Sequence, residues 1–375
     1  MQGETTLRGF VPEKIRIGII GAGGMGNVHA DQFKRIPGVE LSSCLDVVPG
    51  RAAAYASKHR VAHVAEGLDQ LLDRVDAVSV VTPDRHHAAP TLAALRAGKH
   101  VLCEKPLTMT LAEAREVAAA AEKAGRRGAI HMVNFSYRRS AALRKAVEMV
   151  ATGKLGPLRH VHSLYFQSWL GAWGHRTKEE SMLWRLQTAA GSGGVLGDLG
   201  CHILDLTTAV AGEVSRIRCE LRTFPKIERD GTECTQWQGK KLDANDTAVI
   251  ELEFSGGALG VVQTTRWAIG HLNHLRLEAH GATGALRFDL DRDYRRMDVC
   301  LGRAAWDYDN SVREAAWKTI TLAEAPSIWQ RFVRAIRKGR PDQPDMVRGA
   351  QVQAYLDACE RSARSGRWEQ VRAWK

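Results

Sequence analysis

The sequence of 375 residues has few of the features that mark secreted, membrane-bound or metal-binding proteins. Its seven cysteines are scattered and form no CxxC pair, which argues against a zinc site or a disulfide framework and favours reduced thiols. No apolar run approaches the roughly 18 residues of a membrane span. The segment before Lys14 is polar, unlike a signal peptide or an anchor. These absences predict a cytoplasmic protein with no membrane partner and no metal site.

Long runs of one charge are also missing. The formal net charge is +11, but Lys and Arg are mixed with Asp and Glu along the whole chain, and no basic run reaches five residues. We therefore expect no nucleic-acid partner. The positive charge is interpreted as an aid to solubility that also attracts acidic or phosphorylated small molecules.

A glycine-rich turn between two regular segments is the first positive signal. Residues 14–20 alternate as in a strand, residues 21–26 read GAGGMG, and a helix-compatible segment continues to Ile36. In such a turn the glycines allow a tight bend, a close approach to a pyrophosphate and tight helix packing, and the helix start offers free N–H groups to the phosphates. The residues expected to bind a dinucleotide here are Gly21, Gly23, Gly24, Met25 and Gly26.

An acidic residue follows this turn at the spacing that a dinucleotide site requires. Asp46 closes a second predicted strand about 20 residues beyond the glycine turn, where a carboxylate can accept hydrogen bonds from ribose hydroxyls and repel a 2′-phosphate. This favours NAD over NADP. Arg51 leaves NADP open, although it also fits a solvated position in the next helix.

Strands alternate with helices up to residue 133, which predicts a doubly wound parallel sheet in a first domain, residues 1–133. Beyond it a helix, a strand at 159–166, an irregular Trp-rich stretch and a helix opening at 193–205 lead to successive strands between 214 and 301. Two helices, near 327–338 and 347–364, end the chain. We predict a second α+β domain, residues 134–375, with one large, open and mostly antiparallel sheet arranged as a meander.

Polar residues with catalytic potential follow the predicted strands and open the second-domain helix. Asp198 and His202 are four residues apart, so a helix would place them on one face; Asp205 could support the imidazole or simply pack. The glycines at this helix start are interpreted as allowing backbone to approach a ligand. Lys105, before Pro106, is either an ion-pair partner of Glu104 or Asp198, or a proton donor and charge stabiliser at a substrate hydroxyl; its position after a predicted strand favours the second.

Four stretches resemble the glucose-fructose oxidoreductase and inositol dehydrogenase family, called Gfo/Idh/MocA. They read GAGGMG at 21–26, TPDRHH at 82–87, AGKHVLCEKPL at 97–107 and GGVLGDLGCHILDL at 193–206. The resemblance implies a Rossmann domain followed by an open-sheet domain, NAD(P)-dependent oxidation or reduction of a sugar or polyol, and a homodimer or homotetramer. It places the catalytic set on Lys105, Asp198 and His202.

The resemblance also implies cofactor contacts from the turns that follow two strands, at Thr82, Pro83, His87, Glu104 and Lys105. Asp84 departs from the asparagine that is frequent in the family. In the proton step His202 would act as general acid/base, Lys105 would stabilise a developing alkoxide and Asp198 would orient the substrate.

Substrate contacts are expected near the Trp-rich stretch, because aromatic faces suit sugar rings. Trp169, Trp173 and Trp184 are candidates, although tryptophans also cover sheets and subunit interfaces. The residues expected to bind the substrate are Asn134, Arg138, Trp184 and Arg185, whereas His175, His271 and His274 are interpreted as loop or surface residues. The prediction is an NAD-dependent dehydrogenase or reductase of a sugar, cyclitol or sugar derivative. Alternatives are a redox-neutral, NAD-retaining glycosidase and a non-catalytic sugar-sensing regulator.

Overall fold

The computed structural model describes residues 14–172, 178–302 and 317–374. The polar segment before Lys14, Trp173 and His175 therefore lie outside the described residues. The chain forms two compact units. One contains the described residues up to Leu107 together with residues 115–134 and 327–349, and the other contains residues 108–114, 135–326 and 350 onward. The expected boundary between residues 133 and 134 stays a prediction.

The first unit is built on a parallel sheet of six described strands in the order β3-β2-β1-β4-β5-β6. The strands are β1 (Ile15–Ile20), β2 (Val39–Leu45), β3 (His63–Val64), β4 (Ala77–Val80), β5 (His100–Cys103) and β6 (His131–Val133). The helices between them are α1 (Gly24–Lys34), α2 (Arg51–His59), α3 (Leu68–Leu72), α4 (Ala88–Arg96) and α5 (Leu111–Gly125). The doubly wound parallel sheet is therefore confirmed.

The core of this unit explains why these segments form. In β1, Ile15, Ile17 and Ile19 are fully buried, as expected for a central strand covered by helices on both faces. A late helix, Ile328–Lys338, adds Trp329 and Phe332 to the same core. Its start is defined by a capping box, in which the Ser327 side chain and the Gln330 side chain bond each other's backbone N–H groups.

The second unit contains a sheet of nine described strands, in the order β18-β17-β16-β15-β7-β14-β13-β8-β19. Its strands are β7 (Leu158–Phe166), β8 (Val214–Arg222), β13 (Thr247–Phe254), β14 (Leu259–Thr265), β15 (His274–Gly281), β16 (Gly284–Asp289), β17 (Arg296–Leu301), β18 (Lys318–Thr321) and β19 (Glu369–Gln370). The short strands β9 (Lys226–Ile227), β10 (Glu233–Cys234), β11 (Gln236–Trp237) and β12 (Lys240–Lys241) form two separate ribbons.

The large sheet is mostly antiparallel, as predicted, but it is not a meander. Strand β7 inserts between β14 and β15, and its pairing with β14 is parallel. Sequence order alone suggested that β14 and β15 are neighbours, and that expectation is wrong. A strand formed before the Trp-rich stretch occupies the place between them.

Further helices of the chain are α6 (Ala141–Ala151), α7 (Glu180–Leu183), α8 (Cys201–Ala211), α9 (Ile328–Lys338) and α10 (Met346–Ser365). None of the helices within residues 14–172, 178–302 and 317–374 has the length and apolar character needed to cross a bilayer. In the same ranges, no group of three or more His, Cys, Asp or Glu side chains has a geometry suited to a metal ion.

Candidate functional site

The glycine turn between β1 and α1 contains two kinds of glycine. Gly21 has φ +106°, and a Cβ atom there would lie 2.7 Å from the carbonyl oxygen of Val81. A Cβ at Gly26 would lie 2.2 Å from the carbonyl oxygen of Gly21, so the protein's own packing requires glycine at both positions. A Cβ at Gly23 or Gly24 would meet no atom within 4 Å. The turn is therefore open where a pyrophosphate would approach the start of α1.

Asp46 is bound to this turn. Its Oδ2 accepts a hydrogen bond from the Ala22 N–H at 2.7 Å, and its Oδ1 accepts one from the Val48 N–H at 2.8 Å. The carboxylate is only 6% exposed, and the Arg51 guanidinium lies 3.5 Å from Oδ1. A ribose hydroxyl would therefore share the carboxylate with the backbone of the turn, and Arg51 is close enough to meet a 2′-phosphate.

The turns that follow β4 and β5 are joined by His87. This side chain is fully buried; its Nδ1 lies 2.7 Å from the carbonyl oxygen of Pro106 and its Nε2 lies 2.9 Å from that of Thr82. His87 thus holds the predicted cofactor turn against the Lys105–Pro106 segment. Its two ring nitrogens face protein carbonyls, while Thr82 is half-buried and Pro83 is exposed.

Glu104 and Asn134 belong to a buried polar cluster that the sequence did not predict. The Glu104 carboxylate accepts hydrogen bonds from His29 Nε2 at 2.9 Å, from the Asn134 amide and from the Lys105 N–H at 3.1 Å. Asn134 is 2% exposed, so its side chain serves this cluster, and its expected substrate contact stays a prediction. The only sequence signal for His29 is a polar residue on the apolar face of α1.

Asp198 lies in a π-helical turn, Leu196–Gly200, that leads directly into α8, where His202 is placed. Such wide turns are rare and are frequent at functional sites. The glycines before the turn have a packing reason. Gly194 has φ +60°, and a Cβ there would lie 2.5 Å from the Asn245 side chain, whose Oδ1 accepts a hydrogen bond from the Val195 N–H. Asn245, and not a ligand, occupies the space beside Gly194.

Arg266 holds Asp198 in place, and sequence reasoning missed it. The guanidinium is fully buried; it donates to Asp198 Oδ2 at 3.2 Å, to the Gly194 carbonyl at 2.8 Å and to the Arg185 carbonyl at 3.1 Å. Burial lowers the pKa of this guanidinium, and the charge of Asp198 opposes that effect. A basic residue directly after a strand and before Trp267 was the available signal, but nothing in the sequence identified its partner.

Aromatic rings surround His202, whose side chain is nearly buried. The ring centroids of Tyr137, Phe135 and Tyr165 lie 4.9, 6.1 and 6.2 Å from its imidazole, all at steep angles. Burial, with the neighbouring Tyr137 hydroxyl, raises the pKa of Tyr165, which therefore stays neutral. The imidazole thus lies against neutral rings that restrict its orientation.

The hydroxyls of Tyr137 and Tyr165 form a ring of hydrogen bonds with the Asn273 side chain. Tyr165 donates to Asn273 Oδ1 at 2.6 Å, Asn273 Nδ2 donates to Tyr137 at 2.7 Å, and the hydroxyls are 2.7 Å apart. Because Tyr165 has one hydrogen, Tyr137 must donate in the third bond. Gln167 Nε2 adds donors to Tyr165 and Asn273, each at 2.9 Å. The rings of Tyr137 and Tyr165 therefore approach His202 with their hydroxyls fixed by neutral amide side chains.

Arg138 and Asp205 form a bidentate ion pair, with Nε to Oδ2 at 2.6 Å and Nη2 to Oδ1 at 2.7 Å. Asp205 therefore pairs with an arginine, and its expected support of the His202 imidazole stays a prediction. The Arg138 side chain is 15% exposed, and its substrate contact stays a prediction. Arg185 stacks on Trp184 at 4.7 Å from the ring centroid, and both side chains are half-buried.

Comparisons with known proteins agree with these observations. A family model described as "Oxidoreductase family, NAD-binding Rossmann fold" matches residues 15–133, and one described as "GFO/IDH/MocA C-terminal domain" matches residues 143–287. Levoglucosan dehydrogenase from Pseudarthrobacter phenanthrenivorans is 26% identical over 96% of this chain and 98% of its own length. The 1,5-anhydro-D-fructose reductase of Ensifer adhaerens is 36% identical over 72% of this chain and 74% of its own length.

Solved structures show the same similarity. A levoglucosan dehydrogenase in complex with NADH and levoglucosan superposes with a TM-score of 0.82 at 26% identity, covering 96% of this chain and 100% of that chain. An oxidoreductase domain protein from Kribbella flavida gives a TM-score of 0.81 at 32% identity, with the same coverage.

Proposed function

We propose that this chain, which belongs to the GFO/IDH/MocA family of oxidoreductases, transfers a hydride between NAD and a secondary alcohol or ketone of a sugar, cyclitol or sugar derivative. One observation carries the proposal: buried Arg266 pairs with Asp198, and Asp198 lies in the turn that leads to His202. A carboxylate held by a buried arginine, followed by an imidazole among aromatic rings, is a preorganised polar centre.

The proposed roles follow from the chemistry of alcohol oxidation. The hydroxyl proton must leave as the hydride departs from carbon, and histidine suits this step because its side chain ordinarily titrates near neutral pH. We assign His202 as general acid/base. Lys105 supplies a positive charge to the developing alkoxide, and Asp198 accepts a hydrogen bond that orients the substrate. NAD, when bound, supplies the hydride acceptor.

The first unit fits this cofactor. We assign the open positions Gly23 and Gly24 to the pyrophosphate, Asp46 to the ribose, and Thr82 and Pro83 to contacts further along the dinucleotide. Gly21, Gly26 and His87 shape the turns, and Met25 is exposed beside them. The Asp46 carboxylate favours NAD, because its charge repels a 2′-phosphate.

The substrate class is inferred from the relatives and from the second unit. The similar proteins are named for levoglucosan, 1,5-anhydro-D-fructose and inositol, all of them polyhydroxylated rings. The stacked Trp184 and Arg185 offer a flat face and a donor to such a ring, and we retain Asn134 and Arg138 as candidates whose polar groups now serve protein partners.

The test is formation of NADH by the purified protein with a panel of sugars, anhydrosugars, sugar acids and inositols. His202→Ala should lower kcat about 10²- to 10⁴-fold, the range typical of general acid–base catalysis, and leave the NADH affinity unchanged. His160→Ala, at an exposed histidine of β7, is the matched control and should retain activity.

The panel also addresses the other reaction types. Sugar release without net NADH would replace the dehydrogenase proposal by the redox-neutral glycosidase. Ligand binding without turnover of any substrate would indicate a sensor. Loss of NADH binding in His202→Ala would contradict the assigned role.

We propose further that the protein is cytoplasmic and forms a homodimer or homotetramer. All seven cysteines are free, as is usual in a reducing compartment. The large sheet carries exposed apolar residues such as Val249, which is 42% exposed and suits a subunit contact. Light scattering of the purified protein would test the assembly, and a monomer at micromolar concentration would contradict it.

A further inference from the structure

A fully buried histidine connects helix α1 to the strand that precedes Lys105. His29 Nδ1 lies 2.6 Å from the Ser79 hydroxyl on β4, and His29 Nε2 lies 2.9 Å from Glu104 Oε1 after β5. An ionised carboxylate only accepts hydrogen bonds, so Nε2 is the donor to Glu104. Ser79 can donate or accept, so Nδ1 is satisfied in either form of the ring.

Glu104 is a buried charge, 6% exposed, with partners on both oxygens. Oε1 accepts hydrogen bonds from His29 Nε2 and from the Asn134 amide. These two nitrogens lie 3.1 Å apart because both donate to the same oxygen. Oε2 accepts from the Lys105 N–H at 3.1 Å. Burial by itself would raise the pKa of Glu104, but the bond and charge of His29 and the charge of Lys105 lower it to about 2. The carboxylate is therefore ionised at every working pH.

Lys105 is consequently held from both sides. Its N–H is bound by Glu104, and the carbonyl of the next residue, Pro106, is 2.7 Å from His87 Nδ1. The positive charge of Lys105 stabilises the ionised form of Glu104. Because this attraction acts on both partners, the negative charge of Glu104 also stabilises the ammonium form of Lys105. His29 lies on helix α1, and this helix begins at the glycine turn. The contacts of His29 and Glu104 therefore connect the position of Lys105 to the glycine turn.

We propose that His29 and Glu104 are positioning residues for Lys105: the buried pair holds the lysine backbone and places a carboxylate at the preceding residue. This inference rests on the proposed role of Lys105 in stabilising an alkoxide. The expected cofactor contact of Glu104 stays a separate prediction, which the NADH affinity of the Glu104 variant tests.

One more titratable group lies beside this pair. Cys103 precedes Glu104, and its pKa is raised to about 12 by burial, with the charges of Glu104 and Asp84 adding to the effect. It stays a neutral thiol in an assay between pH 6 and about 10, so a change in that range does not arise from it.

The test compares the pH dependence of kcat/KM in Glu104→Gln and Asp76→Asn. Asp76 is also an ion-paired carboxylate whose pKa is lowered. It precedes β4, whereas Glu104 follows β5, so the two carboxylates lie at opposite ends of the parallel strands. We expect Glu104→Gln to lower kcat/KM up to about 100-fold, the effect of a misplaced catalytic group. The apparent pKa of the alkaline limb of its pH profile should be about one unit lower than in the wild type, because an ammonium group without a nearby anion deprotonates more easily. Asp76→Asn should keep the wild-type profile.

Two further variants keep the result interpretable if Glu104→Gln folds poorly. His29→Gln retains an N–H donor and should recover most of the activity that His29→Leu loses, with NADH affinity within threefold of wild type for both. Thermal melting of each variant would show that the comparison concerns folded protein.

The outcomes separate the inference from the proposed function. If Lys105→Ala abolishes turnover while Glu104→Gln and His29→Leu keep wild-type rates and pH profiles, the positioning role is refuted and the role of Lys105 stands. If Lys105→Ala itself retains turnover, the proposed function of Lys105 is refuted. If Glu104→Gln loses NADH affinity in proportion to kcat/KM, Glu104 is a cofactor ligand and the inference fails.

Discussion

Replacing Gly23 by alanine separates the protein's own packing from the space that is open to the cofactor. A Cβ atom at Gly23 meets nothing within 4 Å, and the backbone there, with φ −82° and ψ −158°, is extended and accessible to alanine. A Cβ at Gly26 would lie 2.2 Å from the Gly21 carbonyl oxygen. We expect Gly23→Ala to fold normally and to bind NADH weakly, and Gly26→Ala to be destabilised.

The magnitudes follow from these contacts. A methyl group at Gly23 would occupy the approach to the first N–H groups of α1, and a hydrogen bond to a charged group contributes about 1.5–3 kcal/mol. Since 1.4 kcal/mol is tenfold in an equilibrium constant, loss of one such bond raises the Kd for NADH about 10- to 150-fold. Overpacking at Gly26 should cost about 1–3 kcal/mol of the free energy of unfolding.

Fluorescence titration with NADH gives the affinity, and urea denaturation gives the free energy of unfolding. Gly67→Ala is the matched control, because Gly67 precedes α3 with an extended backbone and its Cβ also meets nothing within 4 Å. It should match wild type in both measurements. If Gly23→Ala binds NADH as tightly as the control does, the pyrophosphate does not approach this glycine and the reasoning is refuted.

Two other substitutions test buried contacts. Arg266→Leu removes the buried partner of Asp198 and should lower the free energy of unfolding by about 3–5 kcal/mol in urea denaturation; a loss below about 1 kcal/mol would contradict the ion pair. Asp46→Asn removes the charge that repels a 2′-phosphate while Arg51 remains 3.5 Å away, so the ratio of kcat/KM for NADP to that for NAD should rise about tenfold or more; an unchanged ratio would remove Asp46 from cofactor selection.

Much of the fold could be predicted because its signals are local. The strand at Ile15–Ile20, the glycine turn and the helix after it are written in adjacent residues, and the alternation of strands and helices needs only the periodicity of each segment. The order of the second sheet could not be predicted in the same way. The parallel pairing of β7 with β14 joins segments about 100 residues apart, and no local pattern reports it.

The same distinction between local and long-range signals applies to the candidate site. The types and positions of Lys105, Asp198 and His202 could be identified from the sequence, together with the elements that carry them. Their partners could not: Arg266 meets Asp198 across 68 residues, and His29 meets Glu104 across 75. The protein partners of Asn134 and Arg138 were also not evident from the sequence, and their expected substrate contacts stay predictions.

The parallel first sheet, the glycine turn and the resemblance to an oxidoreductase family could be recognised in the sequence, because each depends on residues close together in the chain. The folded chain was needed to show which glycines face open space, which carboxylates are ion-paired and which histidines are buried. Those properties depend on contacts between distant segments, whose free energy is set by burial and by the geometry of each hydrogen bond.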